Sequence, residues 1–355
     1  MPLLLRAAAR RARQARRSCS CRRHSTTGEQ LLPVPDVLPS FPAVRWAAAY
    51  GSAALRQAGY KKKNDSMIDY LFAVDAPREW HAANMAANPQ HYSFLRYLGA
   101  GAAARVQERW ACGVYYNTLV DWGDTRIKYG VISTAQLTED LRDWRHLYVA
   151  GRLHKPVATL RADEEIERAQ QANLDHALDA ARLMLPESFS ERDLYRAAAG
   201  LSYLGDYRMQ FGENPHKVRN IVDGNIDAFN TLYSGALART GLVAGAAPEP
   251  EPEPGSRMFE QGVSSSERAA VLERLPPALL QRTLAIHGSG TELSELAGSP
   301  ELAPALRQAV GEVVRTSARA QSLQALVTAG VVKCAVYLGQ KLRRTQPARG
   351  AVTAS

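Results

Sequence analysis

Ala48-Ala49-Tyr50-Gly51-Ser52-Ala53 is followed, after a lysine run at 61–63, by Met67-Ile68-Asp69-Tyr70-Leu71-Phe72-Ala73-Val74. The second stretch has the length and apolar character of a buried strand, yet it carries an aspartate near its middle. A carboxylate in such a place is costly unless it is paired or bound to a metal. The first stretch suggests what it serves. A helix beginning just after Gly51-Ser52 would offer free backbone N–H groups, a small hydroxyl and the positive end of its dipole, which suits a triphosphate. Gly51 permits close backbone approach, and Ser52 can bond a phosphate oxygen without bulk. Asp69 would then point at the same place and hold Mg²⁺, a hard cation that prefers carboxylate and phosphate oxygens. The plainer alternative makes residues 53–58 an ordinary helix after a tight turn, with Asp69 facing solvent from an edge strand.

Outward from this stretch, Pro33 to Pro42 is punctuated by prolines, and Lys61, Lys62 and Lys63 with Asn64 and Asp65 read as a loop. Asp75-Ala76-Pro77 ends the strand, and Arg78 to Ala87 is helical in composition, stopping before Pro89. Val114 to Val120 and Arg126 to Ile132 are β-rich runs joined by the turn residues Asp121-Trp122-Gly123-Asp124, which predicts a hairpin. Ser133-Thr134-Ala135-Gln136 predicts a capping box, followed by Leu137, Leu141, Trp144 and Tyr148 at helical spacing. The first half is therefore α+β. Residues 163–185 predict a helix ended by Pro186, Ser190 an N-cap, and Gly205 a turn. Residues 246–256 alternate Pro and Glu as an extended linker, and a mostly helical segment follows. The divisions expected are 1–27 as a leader, 28–150, 151–245, the linker 246–256, and 257–355.

Of the 44 basic residues, eight arginines lie in residues 1–26, where there is no acid. Without them, 36 basic residues stand against 35 acidic ones, so the net charge of +9 belongs to the leader. That segment, rich in Arg, Ala and Ser and without a long apolar run, reads as a mitochondrial transit peptide. The alternative is a basic arm that binds nucleic acid. Cys19 and Cys21 fall inside it, leaving Cys112 and Cys334 far apart, so neither a zinc site nor a disulfide framework is indicated. No apolar run approaches the roughly 18 residues of a transmembrane helix.

The stretches YGSAALRQAGY, MIDYLFAVDAPREWHAANMAANPQHYSFL, GVYYNTL, IKYGVIS, DLRDWRHLYVAGRLHKPV, LMLPESFSERDLY and GLSYLGDYRM run collinearly from about Ala43 to Tyr233. In them the chain resembles the mitochondrial phosphatidate cytidylyltransferases, also called translocator assembly and maintenance proteins. The resemblance implies a nucleotidyltransferase fold over residues 28–150, a mainly helical, winged-helix-like domain over 151–245, and a C-terminal helical segment. It implies the reaction of CTP with phosphatidate to give CDP-diacylglycerol and pyrophosphate, with Mg²⁺, on the matrix face of the inner membrane, supplying cardiolipin synthesis. Two departures stand out. The family reads Gly-Ser-Gly where this chain has Ala53, and many nucleotidyltransferases carry a second carboxylate two residues on, where this chain has Leu71. A second metal ligand must come from elsewhere, with Asp65, Asp75 and Asp206 as candidates, or from phosphate oxygens and water.

Such a sparse site suits the chemistry. A phosphate monoester has a second pKa of about 6, so the nucleophile is already ionised and no strong base is required. What remains is bringing anions together and stabilising charge. Gly51, Ser52 and Lys128 are the expected nucleotide-binding residues, with Ser52, Asp69 and Lys128 catalytic and Asp69 the metal ligand. Arg152, Lys155 and Arg208 are expected on the substrate phosphate. Trp80, Asn84, Asn88 and His91 serve either packing or substrate contact. Leu323, Leu326, Val327, Val331, Cys334, Leu338 and Leu342 recur at helical spacing beside Lys333, Lys341, Arg343 and Arg344. They form either an interfacial helix on an anionic membrane or a helix packed on the protein. Two rivals are a nucleotidyltransferase acting on RNA and a non-catalytic assembly factor. The near-neutral body speaks against nucleic acid as a partner, and an intact Gly51-Ser52 with Asp69 speaks for an enzyme.

Overall fold

A computed structural model of the chain describes residues 34–51, 54, 67–207, 214, 216–244, 254–288 and 290–329. The leader, Ser52, Ala53, the lysine loop, Arg208 and everything after residue 329 lie outside the described residues, as does the helix expected after Ser52.

A five-stranded sheet organises the first half. Its strands are β1 (Trp46–Tyr50), β2 (Ile68–Val74), β3 (Val114–Trp122), β4 (Thr125–Ser133) and β5 (Ala158–Arg161), in the order β3-β4-β2-β1-β5. β2 pairs parallel with β4 and antiparallel with β1, while β3–β4 is the expected antiparallel hairpin. β2 is thus an interior strand with both faces covered, which explains its continuous apolar run. Asp69 sits in a central strand, and the edge-strand alternative is set aside.

The period of two along each strand separates the faces. Trp46, Ala48, Leu71, Ala73, Val114, Tyr116 and Ile132 enter one core. Ala47, Ala49, Tyr70, Phe72, Ile127, Tyr129 and Val131 enter another. Helices α1 (Pro77–Ala87) and α2 (Ala100–Arg109) pack on this second face. The first face is covered by α3 (Thr134–Asp143) and by α5 (Glu164–Leu183), which follows the short α4 (Ala150–Leu153).

Ser133 caps α3 by accepting the Gln136 N–H at 3.2 Å, as expected. The Gln136 amide, however, reaches the Glu108 carbonyl rather than closing the box. The helix also stops earlier than its spacing suggested: Trp144 takes φ of 50° and Leu147 also φ of 50°, so Tyr148 stands on a loop. Asp140 ends the helix, for its carboxylate accepts the N–H groups of His146, Leu147, Val149 and Ala150 at 2.8–3.1 Å. Left-handed backbone at two large residues costs about 1–3 kcal/mol each, and four charge-assisted bonds from one buried carboxylate offset it.

Beyond the sheet, Asp163 and Ser190 are N-caps of α5 and of α6 (Glu191–Gly200). Next come α7 (Lys217–Asp223) and α8 (Ile226–Thr240). A small sheet joins β6 (Ser188–Ser190), β7 (Val243–Ala244) and β8 (Met258–Glu260) in the order β6-β8-β7. Residues on either side of the Pro/Glu segment therefore share one sheet. The remaining helices are α9 (Ser265–Leu272), α10 (Pro277–His287), α11 (Leu293–Gly298) and α12 (Leu302–Ala329), and their apolar residues join the first core. α12 also returns to the hairpin. Gln321 Nε2 donates to the Val114 carbonyl at 3.3 Å and Gln324 Nε2 to that of Val106 at 3.0 Å. As far as it is described, this helix packs on the protein, with Leu323 outward. Among the described residues no helix is long and apolar enough to cross a membrane.

Candidate functional site

Register brings the chemistry together. Tyr50 pairs with Asp69 across β1–β2, and Asp69 pairs with Lys128 across β2–β4. All three side chains stand on the first face of the sheet, at the end where β2 and β4 begin. Lys128 Nζ lies 3.4 Å from Asp69 Oδ1, with both side chains about a quarter exposed. The ammonium also sits 4.3 Å from the centre of the Tyr116 ring, and the Tyr116 hydroxyl is 3.2 Å from that of Tyr50. Burial pushes both phenols well above their usual pKa, so they stay protonated and can donate. Gly51 closes the group from the end of β1. Its φ is 82°, and a Cβ there would come within 3.4 Å of Asp69 Oδ2. The left-handed turn is what favours glycine at this position, since the contact with the carboxylate would be an ordinary one.

A second group of cations adjoins the first. Arg152 on α4 stacks on the Tyr148 ring at 3.7 Å, lies 5.8 Å from that of Tyr50, and donates to the Tyr148 carbonyl. Lys155, one turn on, donates to the Gly151 carbonyl and to Ser202 Oγ at 2.9 Å. Its ammonium and that of Lys217 each lie 5.2 Å from the Tyr203 ring. Burial, with Arg152 and Lys217 adding like charge, pulls the Lys155 pKa down to about 7. Three cations drawn together against aromatic faces form a ready place for an anion, whose arrival would restore the full charge on Lys155.

The supporting structure is specific. Asn173 Oδ1 accepts from Trp144 Nε1 at 2.8 Å and from His154 Nε2 at 3.0 Å, while its amide donates to the Ala150 carbonyl. Tyr233 OH donates to the His154 carbonyl at 2.9 Å. Burial and the neighbouring Lys155 charge pull His154 down to about 3, so it is a neutral strut. Gly151 completes the fit, because a Cβ there would stand 2.5 Å from that of Ser202.

The structure thus brings together Gly51, Asp69, Lys128, Arg152 and Lys155; Ser52 and Arg208 lie outside the described residues. Among the candidate second carboxylates, Asp65 also lies outside them. Asp75 is six residues, about 20 Å, along β2 from Asp69, and it is bound by Arg45 and Thr134. Asp206 is buried just beyond Tyr203, its N–H on the Tyr203 carbonyl. Among the described residues no three His, Cys, Asp or Glu side chains are grouped as a metal cluster.

The Trp80–His91 stretch serves packing. His81 Nε2 donates to Gln107 Oε1 at 2.9 Å and its Nδ1 accepts from Tyr92 OH at 2.8 Å. Asn84 Nδ2 donates to the hydroxyls of Tyr92 and Tyr129, and Asn88 donates to Asn84 Oδ1. His91 Nδ1 meets the Tyr129 hydroxyl at 3.0 Å. These groups tie α1 to the second face of the sheet, opposite Asp69. Sequence reasoning missed Tyr50, Tyr116, Tyr148, Ser202, Tyr203 and Lys217. Their only signal was aromatic residues recurring beside the predicted cations, and register was needed to read it.

Comparison with known proteins identifies relatives over most of the chain. The family described as phosphatidate cytidylyltransferase, mitochondrial, matches residues 34–344. The Xenopus laevis protein of that name is 42% identical over 318 residues, covering 86% of this chain and 92% of its own length. The Drosophila melanogaster protein is 40% identical over 325 residues, covering 85% and 95%. That of Schizosaccharomyces pombe is 37% identical over 315 residues, covering 84% and 79%. With a match that spans both the sheet and the helices around it, the chain belongs to the mitochondrial phosphatidate cytidylyltransferase family.

Proposed function

We propose that this chain is a phosphatidate cytidylyltransferase. A phosphate oxygen of phosphatidate attacks the α-phosphorus of CTP. The new P–O bond forms as the bond to the β-phosphate oxygen breaks, and the electron pair leaves with pyrophosphate. The observation that carries the reading is the Asp69–Lys128 pair on neighbouring interior strands, closed by Gly51 and adjoined by Arg152, Lys155 and Lys217.

In this reading Gly51, Ser52 and Lys128 take the nucleotide phosphates, and Arg152, Lys155, Lys217 and Arg208 take the lipid phosphate. The phenols of Tyr50 and Tyr116 orient Lys128. Because the nucleophile is already ionised, the work is positioning and charge stabilisation. Mg²⁺ fits at Asp69 as a cation held by one carboxylate and otherwise by phosphate oxygens and water, and when bound it would neutralise charge on the leaving pyrophosphate. We read the five-stranded sheet as a nucleotidyltransferase core, and α5–α8 with the three-stranded sheet as the winged-helix-like part. Residues 1–27 serve as a mitochondrial leader, and the enzyme works as a peripheral protein on the matrix side of the inner membrane, supplying cardiolipin synthesis. Nucleic acid has no part in it.

The test supplies purified protein with phosphatidate in mixed micelles and each ribonucleoside triphosphate in turn. Pyrophosphate release with CTP and Mg²⁺, matched by CDP-diacylglycerol, is expected. Release that ignores the lipid, or a preference for another nucleotide, would refute the reading. A reporter carrying residues 1–27 should enter mitochondria; one that stays in the cytosol removes the leader.

A further inference from the structure

Among the described residues seven large apolar side chains are exposed; Met258 and Val263 lie on and just after β8, and the other five lie on the Phe94–Leu98 segment, at the end of α2 and on α12. Phe94, Tyr97 and Leu98, on the 3-10 segment Phe94–Leu98, are 52%, 76% and 63% exposed. Trp110, at the end of α2, is 50% exposed and Leu323 on α12 is 68% exposed. The 3-10 segment packs on α2 through Leu95, which shares a core with Ala103 and Val106. Gln324, next to Leu323, donates to the Val106 carbonyl, so α12 meets the same helix near Trp110. The exposed charges among these residues are mainly basic: Arg96, Arg105 and Arg109 against Glu108, with Arg315 and Arg319 along α12. Arg96 stacks on the Tyr97 ring at 4.7 Å. An open groove of about 610 Å³ beside Leu98 is lined by Arg78 and Arg105 with one acid, Glu79.

A chain of contacts joins this surface to the cation group. Ser322, also beside Leu323, shares a 2.7 Å hydrogen bond with the Tyr207 hydroxyl. Tyr207 closes the loop that carries Ser202 and Tyr203, the neighbours of Lys155.

We propose that the surface made by Phe94, Tyr97, Leu98, Trp110 and Leu323 seats the protein on an anionic bilayer, beside the loop that leads to Arg152 and Lys155. The proposal rests on the reading of the substrate as a membrane lipid. Aromatic and aliphatic side chains enter the headgroup boundary while the surrounding arginines meet anionic headgroups. Tyr and Trp suit that boundary because each has an apolar body and a polar tip. A soluble partner protein, or this chain's own residues 330–355, are the competing occupants.

The test is sedimentation of the full-length protein with vesicles of phosphatidylcholine containing phosphatidylglycerol, and with phosphatidylcholine alone, no nucleotide present. The protein should bind the anionic vesicles preferentially. Joint substitution Phe94→Ser, Tyr97→Ser and Leu98→Ser should lower partitioning at least about tenfold, and Trp110→Ser alone severalfold, with the thermal midpoint unchanged in both. Turnover of short-chain, soluble phosphatidate should be unchanged while turnover of vesicle-embedded phosphatidate falls. Wild-type partitioning in both variants would overturn the proposal, as would a wild-type protein that binds neither vesicle, the result expected of a partner-protein surface. A lowered midpoint with unchanged vesicle binding would mean that the chain covers this surface itself. Because binding is read without nucleotide, its failure is distinct from failure of the catalytic reading, which would appear as no pyrophosphate from soluble lipid.

Discussion

The two faces of the five-stranded sheet both bury polar side chains, and they do so to opposite ends. On the second face, His81, Asn84, His91, Tyr92 and Tyr129 donate and accept among themselves. Burial pulls the His81 pKa down to about 4, so that ring is neutral at physiological pH. On the first face, Arg152, Lys155 and Lys217 are gathered with like charge, at the cost of pulling Lys155 toward neutrality. Buried groups that pair with one another in this way serve the fold. A set of like charges that the fold forces together suits a ligand of opposite sign.

Substitutions on the two faces should therefore separate activity from stability. The largest effect expected is at Asp69. If its carboxylate acts at the reacting phosphates as proposed, Asp69→Asn should lower kcat by about 10³-fold or more, with an unchanged far-ultraviolet spectrum. Turnover within a factor of a few of wild type at limiting Mg²⁺ would remove Asp69 from the site. Lys155→Met should follow, with kcat/KM for soluble phosphatidate down about 10²-fold, or about 2.7 kcal/mol. The same variant should be at least as stable as wild type, because an apolar chain replaces a buried cation among cations. A destabilised Lys155→Met would show that the lysine holds the fold.

The opposite pattern is expected on the second face. Asn84→Ala should destabilise by about 2 kcal/mol, because the hydroxyls of Tyr92 and Tyr129 lose a buried donor, with kcat of the folded fraction nearly unchanged. A large fall in kcat at wild-type stability would break the contrast. The smallest effect is at Tyr116. Tyr116→Phe keeps the ring under Lys128 and removes the hydroxyl bonded to Tyr50. It should cost only a few-fold in kcat, about 1 kcal/mol, and a loss as large as that of Asp69→Asn would make the phenol itself catalytic.

How much of this was legible in sequence follows from what each feature depends on. The hairpin, the N-caps at Ser133 and Ser190, the helix over 163–185 and the buried strand around Asp69 depend on neighbouring residues and on periodicity. They were readable. Lys128 and Asp69 were each found, but their pairing was not, because strand order and register are long-range properties and a one-residue slip would have sent Lys128 to the other face. Trp144 and Tyr148 kept helical spacing in a segment that Asp140 bends out of the helix, so periodicity misplaced Tyr148. Lys217 lies 62 positions after Lys155 in sequence, and nothing local announced that both flank Tyr203. The Trp80–His91 stretch held chemistry-bearing residues whose partners lie as far off as Tyr129, so packing and substrate contact stayed equally open until the face was known.

The central claim is that the first face holds a cation group completed by the phosphate of its substrate. Proton linkage tests it most directly. With the Lys155 pKa pulled down to about 7, the ammonium is mostly neutral at pH 8. A bound dianionic phosphate raises its pKa, so binding takes up a proton and affinity falls as pH rises above about 7. The measurement is calorimetric titration of short-chain phosphatidate at pH 8 in two buffers of different ionisation enthalpy, on wild type and Lys155→Met. Uptake approaching one proton is expected in the wild type and little in the variant. Equal uptake in the two proteins, or none in the wild type despite binding, would contradict it.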